Sequence, residues 1–134
     1  MIVDTSAIMS VLMGEDDSAD FIKALAIASR RQISAGNWIE LSAVLTRRKS
    51  EALDAAFDSF RRTTILEIEP VSVDQAQIGH DAYRKYGHGS GHKADLNFGD
   101  CFAYALAKAS GKPLLYKGED FSRTDIIPAI PLQA

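Results

Sequence analysis

The stretch LNFGDCFAYALAKASGKPLLYKGEDFSRTD, residues 96–125, constrains the fold more than any other part of the chain. Asp100 stands near the start of a helical pattern, and the alanine-rich run 102–109 carries that helix to Ser110-Gly111, a helix stop. Pro113 forbids more helix, and Leu114-Leu115-Tyr116 reads as a short buried strand. An acidic turn, Gly118-Glu119-Asp120, follows that strand. The N-terminus repeats the device: Met1-Ile2-Val3 reads as a strand, and Asp4 comes directly after it. Sites in open α/β sheets form outside the carboxyl ends of the strands. Two strands that end in acids, with a third acid at a helix start, can therefore converge on one point.

The rest of the chain supplies the alternation that a parallel sheet needs. Residues 7–13 are apolar and predict a helix that Asp4, Thr5 or Ser6 can cap, with Gly14 as its break. The acidic run Glu15-Asp16-Asp17-Ser18 opens a second helix, whose macrodipole favours negative charge there. Gln32-Ile33-Ser34 reads as a short strand and Ala35-Gly36-Asn37 as a turn, after which residues 38–48 predict a helix. Ser50-Glu51 opens another helix, and residues 64–69 predict a strand that Pro70 ends. Ser72 and Gln75 have capping-box spacing at the start of a helix that runs to about Tyr86. Ile126-Ile127 with Ala129-Ile130 predicts a last short strand. Strands alternating with helices indicate a parallel sheet covered on both faces.

The length, 134 residues, suits a single domain covering 1–134, and 46% hydrophobic residues are enough for a core. A net charge of −3 argues against a surface coated in basic charge for duplex binding. One cysteine, Cys101, precludes an internal disulfide and fits a reducing compartment. The N-terminus has no basic leader, and no apolar run is long enough to cross a bilayer, so a soluble cytoplasmic protein with no membrane partner is expected.

Four acids stand amid apolar or small residues: Asp4, Glu40, Asp100 and Asp120. A buried carboxylate is costly unless it is paired or holds a metal. Several together repel and retain protons unless a divalent cation neutralises them. An all-oxygen donor set selects Mg²⁺ or Mn²⁺, ions that support phosphodiester hydrolysis. Each acid also has a plain structural role open to it: Asp4 as a helix cap, Asp100 as a first-turn charge, Glu40 as an ion-pair partner, Asp120 as a turn residue. His88 and His92 are four apart but lie in the Gly-rich loop 87–93, which reads as a polar loop rather than a zinc site. Cys101 has no acid–base partner in sequence and reads as a small core residue. Ile8, Val11, Leu12 and Met13 read as core, with an excess that can contribute to a groove for a partner helix.

MIVDTSAI at the N-terminus, NWIELSAVL around Glu40, LNFGDCFAYALAK around Asp100 and PLLYKGEDFSRTDI at the end resemble the PIN-domain ribonucleases of the VapC toxin type. The resemblance runs nearly end to end. It implies a three-layer α/β/α fold, a small parallel sheet between helices. It also implies Mg²⁺- or Mn²⁺-dependent cleavage of RNA, restraint by a cognate antitoxin, and a homodimer. Asp4, Glu40 and Asp100 match the family's acidic core, and Thr5 and Ser6 match the small polar residues beside it. Many relatives carry Thr-x-Asp after the last of these strands. Here Tyr116-Lys117-Gly118-Glu119-Asp120 displaces the acid, so Asp120 is expected in an outer role, with Glu119 as the alternative. Lys93, Lys117 and Arg123 flank the acidic element and are the expected phosphate contacts. Two other functions use the same features. One is a PIN-like module that binds RNA or protein without cutting, and the other is a metal-dependent DNA nuclease or phosphatase. The acidic triad favours an enzyme over the binding module.

Overall fold

The structure is a computed structural model and describes residues 1–132. Its elements run β1 (Ile2–Val3), α1 (Thr5–Met13), α2 (Ser18–Ile27), β2 (Gln32–Ser34), α3 (Ala35–Arg48), α4 (Glu51–Thr63) and β3 (Glu67–Glu69). They continue with α5 (Val73–Tyr86), α6 (Phe98–Ser110), β4 (Leu114–Leu115) and a 3₁₀ turn, Phe121–Arg123. The four strands form one parallel sheet in the order β3-β2-β1-β4. Val3 lies opposite Leu115, and Ile33 lies opposite Ile68. This is the expected α/β/α sandwich with a small parallel sheet.

The pleat sends neighbouring residues to opposite faces, and the two faces have separate cores. Ile2 and Leu114 pack with Ala82, Tyr86, Ala103 and Tyr104, which belong to α5 and α6. Val3, Ile33 and Leu115 pack with Ile8, Phe21, Leu41 and Phe60, from α1 to α4. Side-chain caps start most of the helices. Ser34 caps α3, Ser50 caps α4 and Ser72 caps α5, each accepting a backbone N–H of its helix's first turn at 3.1–3.2 Å. Gly111 ends α6 at φ 64°, a conformation that disfavours side chains.

Three boundaries differ from the sequence reading. Ala35-Gly36-Asn37 is not a turn but the first turn of α3, because Ser34 ends β2 and caps the helix with no loop between. The 64–69 strand shrinks to Glu67–Glu69, since Thr64 serves as the C-cap of α4 and its N–H donates to Phe60. The predicted last strand is a single bridge between Leu114 and Pro128. Pro128 and Pro131 lack the N–H groups a ladder requires, and Ile127 is exposed.

Ile2 is fully buried on the central strand. Ile2→Ala should lower unfolding free energy by about 2–5 kcal/mol, the usual cost of such a cavity. Urea denaturation followed by far-UV circular dichroism measures it, and an unchanged midpoint would refute the packing described.

Candidate active site

The strand order reverses direction between β1 and β4, which makes their carboxyl ends the switch point of the sheet. Asp4 leaves β1 there and is almost completely buried. Its backbone N–H donates to Leu115 O at 2.9 Å, so β4 fixes its position. Its Oδ2 caps α1, accepting the Ser6 N–H at 3.0 Å and the Ser6 hydroxyl at 2.5 Å. Its Oδ1 is buried and has no hydrogen-bond partner. The Ser6 hydroxyl also accepts the Lys117 N–H at 3.0 Å, tying α1 to the segment after β4. Burial pushes the Asp4 carboxyl up to about 6; the Ser6 hydrogen bonds pull the other way, and the Glu40 charge adds to the rise.

Glu40 projects from α3 toward the start of α6. A side chain at Gly99 would overlap the Glu40 carboxylate, so the acid rests directly on the backbone of α6. Gly36 makes the same allowance one turn earlier in α3, where a Cβ would strike the Phe102 ring of α6. These two glycines set how closely the helices approach. Asn37 lies fully buried between them. Its Nδ2 donates to Gly99 O at 2.9 Å and to Glu40 Oε1 at 3.3 Å. The Thr5 hydroxyl donates to Asn37 O at 3.4 Å.

Asp100 occupies the first turn of α6 and completes a capping box. Its N–H donates to Asn97 Oδ1 at 2.9 Å, and its Oδ2 accepts the Asn97 N–H at 2.9 Å. Burial pushes its carboxyl up to about 7, and the charges of Asp4, Asp120 and Glu40 add to the rise. Asp120 is exposed, in the turn after β4. Glu119 turns away to pair with Arg123 at 2.8 Å. Of the two fourth-acid candidates, Asp120 is the one whose charge reaches Asp100.

The PIN-domain model matches residues 1–127. The chain belongs to the PIN-domain family. Ribonuclease VapC42 of Mycobacterium tuberculosis is 43% identical over 129 residues, covering 96% of this chain and 98% of that one. Ribonuclease VapC28 of the same organism is 44% identical over 130 residues, covering 97% and 98%. This identity over nearly the full length puts the chain with the VapC-type PIN proteins. Among solved structures, M. tuberculosis VapC20, described as a Sarcin-Ricin loop cleaving toxin, superposes with a TM-score of 0.73 at 21% identity over 97% of this chain and 98% of that one. A toxin–antitoxin complex from Klebsiella pneumoniae gives 0.67 at 16% identity, covering 98% of each chain. These two likenesses show the PIN fold.

The acids of this PIN domain offer only oxygen donors, and the partnerless Asp4 Oδ1 is an oxygen suited to a hard cation. Asp4, Asp100 and Glu40 are the residues that could hold Mg²⁺ or Mn²⁺. They are coupled through their charges, yet among the described residues no three His, Cys, Asp or Glu side chains form a ready-made metal cage. Like charges in a partly buried corner hold apart unless something neutralises them.

The remaining expected residues have partners of their own. The Lys117 ammonium pairs with Glu15 and with Asp17, the latter at 3.3 Å. Arg123 pairs with Glu119 and donates from Nη1 to Lys93 O at 2.9 Å. Lys93 is exposed and makes no ion pair among the described residues. The 87–93 loop is pinned rather than loose: His88 pairs with Asp95 at 2.8 Å, and His92 Nδ1 accepts the Ala94 N–H at 3.0 Å. Burial pushes the Cys101 thiol up to about 11, which suits a core residue and not a nucleophile. Sequence reasoning missed Asn37, Gly36 and Gly99. The available signal was an Asn three residues before Glu40 in an otherwise apolar stretch, but assigning residues 35–37 to a turn removed it from the helix face.

Two outcomes follow. Asp4 and Asp100 titrate in the folded chain near 6 and 7, against an ordinary 3.8, so unfolding releases protons between these values. The unfolded state binds fewer protons there, and metal-free stability must fall as pH rises from about 4 to about 7. Melts in EDTA across that range should show the decline, with a shallower slope in Asp100→Asn; equal slopes would refute it. Gly36→Ala should destabilise by about 1–3 kcal/mol through overpacking against the Phe102 ring. Chemical denaturation reads this directly, and a neutral result would mean the contact is loose.

Proposed function

We propose that the chain is a Mg²⁺- or Mn²⁺-dependent endoribonuclease and the toxin of a type II toxin–antitoxin pair. The observation that carries this reading is the crowding of Asp4, Glu40 and Asp100 from three separate elements, with one Asp4 oxygen buried and unpartnered. Such crowding costs stability and is accounted for by a divalent cation. The curated relatives carry the name ribonuclease, which supports the same reaction class.

Asp4 and Asp100 would hold the ion directly, with Glu40 as a direct or water-bridged ligand. The ion supplies Lewis-acid activation of water and neutralises charge on the phosphate. Ser6 holds Asp4 in one rotamer by two hydrogen bonds, leaving Oδ1 for the ion. Asn97 does the same for Asp100 through its backbone. Asp120 adds negative charge at the rim, in an outer role. In-line hydrolysis leaves a 5′-phosphate and a 3′-hydroxyl. Lys93 is the first phosphate contact, being exposed, while Lys117 and Arg123 reach RNA by exchanging their present carboxylate partners. The antitoxin docks a helix in the apolar groove of about 590 Å³ lined by Val11, Leu12, Ile22, Leu25 and Phe60. Of the residues first assigned to that groove, Ile8 is core and Met13 is exposed. The toxin works as one domain, as a homodimer, in the cytoplasm.

Asp4→Asn keeps the shape of the side chain and its cap while removing one charge. RNA cleavage should fall by orders of magnitude, with the fold retained or stabilised as repulsion is relieved. Asp120→Asn should cost far less. RNA, single-stranded DNA and a phosphomonoester are offered in parallel, with and without EDTA. Cleavage that survives EDTA, or a wild-type rate in Asp4→Asn, would overturn the mechanism. Preference for DNA or the monoester would reassign the substrate.

A further inference from the structure

We infer that Asn37 is the positioning residue whose side-chain amide holds Glu40 in place among the three site carboxylates. The inference rests on the nuclease reading for its consequence but on hydrogen-bond geometry for its content. Asn37 is the point where the three acid-bearing elements meet. Its backbone oxygen, which any residue at this position would supply, accepts the hydroxyl of Thr5, the neighbour of Asp4. Its Nδ2 donates to the carbonyl of Gly99, the neighbour of Asp100, and to Glu40 itself. One residue therefore contacts α1, α3 and α6, in each case within one residue of a site acid or on the acid.

The energetic signature is that of a group retained for placement. Asn37 is fully buried, and its Oδ1 has no partner. An unsatisfied buried oxygen costs free energy that an apolar residue of similar size would avoid. What Asn37 contributes in return is an N–H that can bridge a carbonyl and a carboxylate at once. No aliphatic side chain does that, and a carboxylate there would repel Glu40. Without the bridge, Glu40 keeps only its contact with the Gly99 backbone and swings away from Asp4 and Asp100.

The test is a double-mutant cycle read by Mn²⁺ binding, with wild type, Asn37→Ala, Glu40→Ala and the double variant. Mn²⁺ affinity is followed by electron paramagnetic resonance, and thermal melts are run with and without the ion. Asn37→Ala should weaken Mn²⁺ about tenfold or more, the scale on which groups supporting metal ligands act. In the Glu40→Ala background, where the acceptor is gone, the same substitution should add little, because its effect passes through Glu40. Asn37→Ser, which retains a short donor, should recover part of the affinity. Equal losses in both backgrounds, or a fall in the metal-free melting temperature with Mn²⁺ affinity unchanged, would overturn the inference and leave Asn37 a packing residue. If Asn37→Ala fails to fold, the Asn37→Ser and Glu40→Ala pair carries the same comparison. RNA cleavage is measured separately. Wild type that binds Mn²⁺ but cuts no RNA would defeat the nuclease reading while leaving the positioning role to be judged on affinity alone.

Discussion

Carboxylates do not share a poorly solvated corner of a protein unless the surrounding structure forces them to. Here the force comes from the close approach of α3 and α6, which Gly36 and Gly99 permit. A Cβ at Gly36 would strike the Phe102 ring and press the helices apart, and a Cβ at Gly99 would displace the Glu40 carboxylate from its place against α6. The result is visible in the acids themselves. Asp4 and Asp100 hold protons well above the ordinary carboxylate range, first from burial; the charge of Glu40 adds to both, and that of Asp4 adds to Asp100. Folding in the absence of a cation is thus opposed at neutral pH by the groups the fold assembles. The two apolar cores, one on each face of the sheet, supply the stability that offsets this.

For Asp4 and Asp100 the expected structural roles are the ones observed, and they leave the proposed metal-holding role open, whereas Glu40 makes no ion pair among the described residues. Asp4 is a helix cap, through Oδ2, and that is what leaves Oδ1 fixed and unpartnered. Asp100 is a first-turn charge in a capping box, and the box locks its rotamer. A helix N-terminus offers donors and a positive dipole end, which lower the cost of holding a carboxylate there. Placing acids at caps lets the backbone N–H groups of Ser6 and Asn97 help hold their carboxylates in place.

Much of this could be read from the chain alone, for physical reasons. Asp4 and Asp100 sit at element boundaries marked by sharp changes in hydropathy, and Gly111 and Pro113 punctuate the last helix–strand unit. Such local signals survive without tertiary information. What could not be read depends on neighbours distant in sequence. Asn37 matters through Gly99, and Gly36 through Phe102, each more than sixty positions away. Residues 35–37 looked like a turn because Gly and Asn favour turns, and only the Ser34 cap makes them helical. The missing last strand fails for a local reason, its prolines, which the apolar pattern of Ile126, Ile127 and Ile130 outweighed.

The strands that carry this arrangement are short: β1 and β4 have two residues each. Register is therefore set by few hydrogen bonds and mainly by which side chains must be buried. Ile2 faces α5 and α6, and Val3 faces α1 to α4. A slip of one residue would exchange those faces, moving Ile2 against the α1–α4 core and Val3 against α6. It would also draw Asp4 into the sheet, where its carboxylate would meet apolar side chains and lose the Ser6 cap. The same acid that defines the site thus opposes the wrong register. The strand is only as long as the two cores require, and the buried carboxylate stands at the first residue past it.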